Sequence, residues 1–513
     1  MSDIPAEKRA RTEAATDDSG PVQLNRGYLD AQFISQFHTA FTDTKLAENT
    51  TIDAAEASET AISDKVALET VTSDVATASD TMITPNIRGE ITAQPFRTGR
   101  LHNVFPVQFL RALRAELGAL SWHERANDLY AFRQTDDLAL NGNVCIRALR
   151  SYLAGDEFVA FMERLTGSRL VRGHLDLAAQ RYGQTDHLLC HDDDVQRGSL
   201  TRKIAYIIYL TEEWADADGG ALGLFHRDKQ GLPTAVVERI VPKFNSLGFF
   251  LTGHASYHTV EEVTARDRER WSVTGWFYGP ADEPADKIAE QLPQSVVLQP
   301  SSLLTHPDDA SRWISAEYLC ASTQAQIQDA FVEQSSTELR SFLRADVFAS
   351  VRAELEAKWA DAKERGPAHV CRYLEPPASD PESVTHGLLA FLRSEQFARV
   401  LESLTSLELA QASQQVRRFA HGHYTLVHDH VREPAGLDAV LSLGAGEWQD
   451  AWGGAMHYVA DTDELLRVNP MPNSLSLVMR DEGTLRFVKY VNHTAEETRD
   501  EISMVFIEKE DEE

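Results

Sequence analysis

Cysteine is scarce in this chain: Cys145, Cys190, Cys320 and Cys371 are the only four in 513 residues, and no two stand in a C-x-x-C spacing. That excludes a disulfide framework and reads as reduced thiols in a cytosolic or nuclear protein, a setting that also suits ferrous iron. Long apolar runs are missing too. Nothing approaches the ~18 to 20 residues a membrane span needs, and Met1 to Arg11 is polar and charged where a secretory signal would be apolar. Positive charge is in short supply, with 49 Lys and Arg against 79 Asp and Glu for a net charge of −30. Such a balance disfavours non-specific attachment to nucleic acid or to an anionic membrane and would attract a basic polypeptide. Lys8, Arg9 and Arg11 form one small basic cluster. It is a candidate nuclear address, although three charges are more often a solvated tail, and the expected localisation is cytoplasmic and nuclear.

Aromatic residues are absent from residues 43–80, where Thr, Ala, Ser and acids dominate. A segment of that kind cannot bury enough apolar surface to offset its ordering entropy, so it is expected to be disordered or transiently helical. Before it, Phe33, Ile34, Phe37 and Phe41 share roughly one face of a helix predicted over 28–41. The first expected region is therefore 1–90, mostly disordered and acidic. From about Phe96 the pattern becomes globular. A helix is predicted over Val107 to Leu120, and β-branched and aromatic residues mark strands over Val171 to Tyr182, Lys203 to Leu210, Ala221 to Phe225, Ser246 to Leu251 and Arg270 to Phe277. Strands separated by turn signals suggest a β-sandwich or barrel over 91–285. Helical periodicity takes over between Gln291 and Leu407, clearest from Gln324 to Ala357, and defines an expected helical stretch over 286–410. Strand signals return over 411–513.

That return is a faint internal repeat. Arg181 to Asp193 lies without gaps over Arg418 to His430, which pairs His191 with His428 and Asp193 with His430. Gly219-Gly220-Ala221 answers Gly453-Gly454-Ala455, and Ser272 to Phe277 answers Ile502 to Ile507. With a gap, His258 to Glu262 answers His493 to Glu497. In this alignment Asp500 replaces Arg270, and Arg499, one residue off, turns to the opposite face. The second copy thus reads as a related barrel without catalysis.

In the first copy, His191 and Asp193 at i and i+2 point to one side of a strand or strand end, so both can reach one ion, and His258 would arrive from a non-adjacent strand. Two imidazoles and a carboxylate on one side of an octahedral metal leave three positions free. That is what chelating a 2-oxo acid and then binding oxygen requires. Arg270 opens a strand in which Arg270, Ser272 and Thr274 share a face while Trp271, Val273 and Phe277 share the other. A guanidinium fork beside a hydroxyl offers a bidentate seat for the distal carboxylate of 2-oxoglutarate. Tyr209 and Tyr182 are candidates for phenolic hydrogen bonds to the same ligand. The plain alternatives are an H-x-D of no consequence, which is common, a surface salt bridge for Arg270, and core tyrosines with polar tips.

Tyr206 to Trp214 followed by Asp218-Gly-Gly-Ala-Leu222 resembles the prolyl-hydroxylase branch of the 2-oxoglutarate oxygenases. Asn127 to Tyr130, Leu188 to Asp193, Trp276 to Pro280 and the two-copy layout resemble the ribosomal prolyl 3-hydroxylase family more closely, from about Phe96 to the carboxyl end. The resemblance implies a mixed α+β, mainly β architecture of two double-stranded β-helix (jelly-roll) domains with flanking helices, the first catalytic and the second degenerate. It implies iron(II) on His191, Asp193 and His258, 2-oxoglutarate on Arg270, Tyr209 and Tyr182, and ascorbate as a further cofactor. The implied reaction is 3-hydroxylation or 3,4-dihydroxylation of a proline in a basic small-subunit ribosomal protein at the decoding centre, with an effect on translation accuracy or termination. Two features depart from the family: the acidic insert near the amino end, and extra residues at about Gln196 to Leu200, beside the site.

In the implied cycle 2-oxoglutarate is oxidatively decarboxylated to succinate and carbon dioxide while a prolyl ring carbon gains a hydroxyl. One competing reading is a regulatory binding protein that uses its carboxyl-terminal domain, with oxygenation as an oxygen sensor. A zinc hydrolase with the same three ligands fits less well, because no neighbouring carboxylate stands as general base and Arg270 would have no task.

Overall fold

A computed structural model describes residues 22–45, 48–53, 87–281, 298–427, 434–444, 446–461 and 463–509. The basic cluster at Lys8 to Arg11, most of the acidic segment, His428 and His430 lie outside these residues. The architecture is mainly antiparallel β with helices on its faces. A 14-stranded sheet occupies the amino-proximal part, a 9-stranded sheet the carboxyl-proximal part, and a 3-stranded sheet accompanies the second. Among the described residues no helix is long and apolar enough to cross a membrane.

In the first sheet, Leu200–Tyr209 is flanked by Ser246–Leu251 and Arg270–Pro280, and Arg270–Pro280 pairs onward with Ala178–Tyr182. The path then runs through Tyr130–Gln134, His187–His191, His258–Val260 and Leu222–Arg227 to Pro233–Ile240. The sheet rolls over on itself: Ala205 and Phe250 of one wall pack against Leu222, Leu224 and Ile240 of the other. This is the jelly-roll form, and it leaves an interior between two sheet faces. Outside, the apolar faces of helices Ala31–Thr42, Val107–Gly118, Val144–Ala154 and Asp156–Thr166 cover the opposite face in one core that includes Phe37, Leu113, Phe158, Val273 and Phe277. The strand period of two thus sorts one strand's side chains: Trp271, Val273 and Phe277 face the helices, and Arg270, Ser272, Thr274 and Trp276 face the interior.

Three sequence expectations need correction. Inside the segment expected to lack structure, Thr50–Asp53 is a strand paired with Arg88–Thr92, held by buried Ile52 and by β-branched neighbours that suit a sheet edge. The predicted strand from Val171 begins only at Ala178. The long amphipathic stretch from Gln324 to Ala357 is two helices, Ala321–Gln334 and Ala345–Glu356. The first ends at Ser335 in the left-handed region (φ 56°), and Ser336–Arg340 then joins the second sheet against Ser474–Arg480.

Candidate active site

His191 ends its strand, and Asp193 lies two residues beyond in the left-handed conformation, φ 64°. Alternation alone does not put both on one side. The turn after the strand does, at a cost of about 1 kcal/mol that Asp bears better than most residues. His258, expected from a non-adjacent strand, stands instead on the strand next to that of His191 and pairs directly with it. The donor atoms of His191, Asp193 and His258 lie within 4.8 Å of one another. Asp193 Oδ1 stands 3.6 Å from His191 Nε2, and Oδ2 stands 3.4 Å from His258 Nε2. Each imidazole donates Nδ1–H to a carbonyl at 2.7 Å, His191 to Leu189 and His258 to Ser256. That fixes both tautomers so that the Nε2 lone pairs converge on one point. Burial, helped by nearby His258, pushes His191 down to about 4. Burial alone would raise the Asp193 carboxyl, but His191, His258 and Arg202 outweigh it and hold the group below the usual carboxylate range. A neutral His191 imidazole and an ionised Asp193 carboxylate at neutral pH are the states a divalent metal requires.

The triad opens onto a cavity of about 530 Å³, whose lining includes Arg270, Ser272, Thr274 and Trp276. Arg270 is 1% exposed, and its Nε and Nη2 have no hydrogen-bond partner. Tyr209 Oη is likewise buried and unpartnered. Burying a guanidinium without an anion costs several kcal/mol, so the position demands a carboxylate. The rings of Tyr182 and Tyr209 flank it at 5.0 and 5.2 Å, and Ser272 Oγ accepts from Nη1 at 3.5 Å. Tyr182 differs from Tyr209, because its hydroxyl already donates to Gln180 at 3.2 Å, which leaves mainly its ring face to the site. Gly220 makes the approach possible: at φ +65° a Cβ there would meet Arg270 Cδ and Val263 Cγ2 at 2.9 Å. The donor set and the orphaned cation together fit iron(II) and 2-oxoglutarate.

Two further residues hold the carboxylate ligand. Trp276 donates Nε1–H to Asp193 Oδ2 at 3.1 Å, and Arg202 lies 3.7 Å from Oδ1 while stacking 3.6 Å from the Trp276 ring centroid. Trp276 was within reach of sequence reasoning, because it continues the Arg270, Ser272, Thr274 face. Arg202 was not, because it reaches the site across a β-bulge between Phe277 and Tyr278. The extra residues after Asp193 extend that strand into a short hairpin, Gln196–Arg197 against Leu200–Thr201, and bring Arg197 to the cavity rim.

Strand register corrects the alignment of the internal repeat. Arg270 faces Tyr182, and Arg499 faces Phe419, the repeat partner of Tyr182. Arg499, not Asp500, therefore holds the Arg270 position, and Glu501 holds that of Ser272, each opposite the last residue of the adjoining strand, Ser442 and Tyr209. Arg499 Nε donates to Glu501 Oε2 at 2.7 Å, and Arg417 Nε donates to Glu501 Oε1 at 2.9 Å. The second guanidinium already has its carboxylate. Likewise Leu224 faces His258, whereas the corresponding Tyr458 faces Arg486. An arginine, which is no metal ligand, occupies that register, and His493 instead donates to Glu262 from a loop.

A rolled sheet with a two-histidine, one-carboxylate cluster and a buried cation deep in the same cavity defines a 2-oxoglutarate- and iron(II)-dependent oxygenase. Residues 177–278 match the profile of the 2OG-Fe(II) oxygenase superfamily, and residues 307–513 match that of the oxoglutarate and iron-dependent oxygenase degradation C-terminal region. Prolyl 3-hydroxylase OGFOD1 of Xenopus laevis is 34% identical over 443 residues, covering 79% of this chain and 84% of its own. The mouse (Mus musculus) protein of the same name is 31% identical over 471 residues, covering 77% and 84%. Prolyl 3,4-dihydroxylase OGFOD1 of Ostreococcus tauri is 29% identical over 491 residues, covering 80% and 94%. The chain belongs to the prolyl 3-hydroxylase OGFOD1 family.

Proposed function

We propose that this oxygenase hydroxylates a prolyl residue of a polypeptide, and that the polypeptide is a basic ribosomal protein of the small subunit. The observation that carries the catalytic part is the pairing of a converged His191, Asp193, His258 triad with the unpartnered Arg270 in one cavity. In this reading His191, Asp193 and His258 hold iron(II), while Arg270 and Tyr209 hold the far carboxylate of 2-oxoglutarate and Tyr182 packs its ring against the guanidinium. Iron with 2-oxoglutarate and oxygen supplies an oxidant strong enough for an unactivated C–H bond, and ascorbate keeps the metal ferrous between turnovers. The protein's own part is orientation and exclusion of water. Trp276 and Arg202 fix the Asp193 carboxylate, and the apolar walls at Phe132, Leu222 and Phe250 keep the chamber dry. The names of the relatives support proline as the target, and a net charge of −30 suits a basic partner. The carboxyl-proximal half, with Glu501 on Arg499 and Arg486 in the His258 register, serves without iron.

Mass spectrometry of a proline-bearing peptide from a small-subunit ribosomal protein, incubated with enzyme, iron(II), 2-oxoglutarate, ascorbate and oxygen, tests this directly. One added oxygen on proline, absent with His191→Ala, is the expected result. Two added oxygens would indicate dihydroxylation. Succinate release with no modified peptide would remove the proposed substrate.

A further inference from the structure

Strands His123–Ala126 and Tyr130–Gln134 form a hairpin on one wall of the cavity, to which it contributes Arg125, Leu129, Tyr130, Phe132 and Gln134. Its outer strand is exposed along its whole length and pairs only with the inner one. The inner strand is paired in the sheet with Ala178–Tyr182 and His187–His191, so the outer strand and the turn are the least supported parts. Its turn is closed internally by Asn127 Oδ1, which accepts from the Leu129 and Tyr130 amides at 2.9 Å.

Further support for the turn comes from the far end of the sequence. The Val427 amide donates to Asp128 Oδ2 at 2.9 Å, and Lys489 Nζ donates to the Asn127 carbonyl at 3.0 Å. Leu129 packs on Tyr424, Leu426 and Tyr490 together with Leu189 of the strand that carries His191. Asp128 and Lys489 are half-buried. Burial pushes the Asp128 carboxyl up and the Lys489 amine down, and the charge of each partly restores the other. Two costly half-buried charges stand at the tip of a hairpin that lines the cavity. The same carboxyl-terminal segments also grip the catalytic half beside the iron site. Glu262, four residues after His258, accepts from His493 Nδ1 at 2.7 Å and Tyr490 Oη at 3.3 Å and pairs with His421 Nε2 at 2.8 Å.

We infer that the carboxyl-proximal half sets the angle of the substrate-facing hairpin, with Asp128 and Lys489 as the positioning residues, so that the noncatalytic half governs how a polypeptide seats over the iron. This rests on the reading that a polypeptide enters the cavity. The triad and Arg270 lie on strands inside the sheet and keep their geometry without the two ties. The hairpin does not. Once its tip is loose, its ordering is deferred to the moment of substrate binding and weakens that step.

The test uses the full chain with Asp128→Ala, Lys489→Met and both together. Hydrogen exchange followed by mass spectrometry is expected to show amides 123–131 exchanging about tenfold faster or more in the double variant, with 258–260 and 272–277 unchanged. Peptide KM is expected to rise about tenfold while kcat and peptide-independent consumption of 2-oxoglutarate hold, and Lys489→Arg, which keeps a donor and a charge, is expected to stay near the parent. Unchanged exchange over 123–131 overturns the inference. So does a joint fall of kcat and peptide-independent turnover, which marks general damage. If the parent protein modifies no peptide, the polypeptide reading fails on its own account, and the exchange measurement still decides whether the two ties order the hairpin.

Discussion

Arg270 and Asp193 show how single side chains declare a site. Each is costly where it stands, one as a buried cation with two unpartnered nitrogens, the other in a left-handed backbone conformation. Replacing Arg270 with Met should therefore raise the stability of the ligand-free protein by about 1 to 3 kcal/mol, because an uncompensated charge leaves the interior. The same change should abolish stabilisation by 2-oxoglutarate, which for the parent follows RT ln(1 + [L]/Kd). Chemical denaturation with and without 2-oxoglutarate checks both, and a parent-like response to the ligand in Arg270→Met would contradict the assignment. His191, Asp193, His258 and Arg270 were readable in sequence because the chemistry demands scarce residue types at a definite strand parity. Arg202 was hidden by a bulge, and the unequal roles of Tyr182 and Tyr209 turn on which hydroxyl already has a partner, which no spacing reveals.

Periodicity located five strands of the first sheet and the helices Ala31–Thr42 and Val107–Gly118, and fails where a local conformation overrides it. Ser335 and Ser406 both close helices in the left-handed region, at φ 56° and 65°, without the glycine that usually marks such a stop. Changing both to Gly should stabilise the protein by about 1 kcal/mol in total, measured as a shift in denaturation midpoint with no change in slope, because only the strain of a Cβ is removed. Loss of stability would show that these caps are relaxed. The repeat was misread for a related reason. An alignment placed by residue type slides one residue in a strand as easily as in a loop, and a slip of one turns every side chain to the other face. The pairings of Arg499 with Phe419 and of Glu501 with Ser442 fix the register.

For the molecule as a whole, buried ionisable groups near the junction of the two halves set the response to acid. Burial pushes His187 and His423 down to about 4, and hydrogen bonds from His421 and His493 outweigh burial to hold Glu262 below the usual carboxylate range. A histidine with a depressed pKa binds its proton in the unfolded chain first, so its contribution is complete above about pH 6.5 and is lost as pH falls toward 4. Glu262 loses its contribution in the same direction at lower pH. Asp186, pushed up to about 6 by burial, acts the other way and offsets part of the loss. The thermal midpoint of the metal-free protein should therefore fall between pH 7 and pH 5, and His187→Asn should flatten the slope. A midpoint independent of pH would mean that these imidazoles reach water. None of this was visible in composition, which reports a net charge but not which charges face each other across 150 or more residues.

Glu501 has a longer consequence. It stands between Arg417 and Arg499, so restoring the small hydroxyl residue found at the matching strand position would strand two guanidinium groups in the interior at once. A step of that kind costs about 3 to 5 kcal/mol, a large share of what a domain has to lose. A single exchange to that hydroxyl therefore cannot free an anion seat on Arg499 without a large loss of stability.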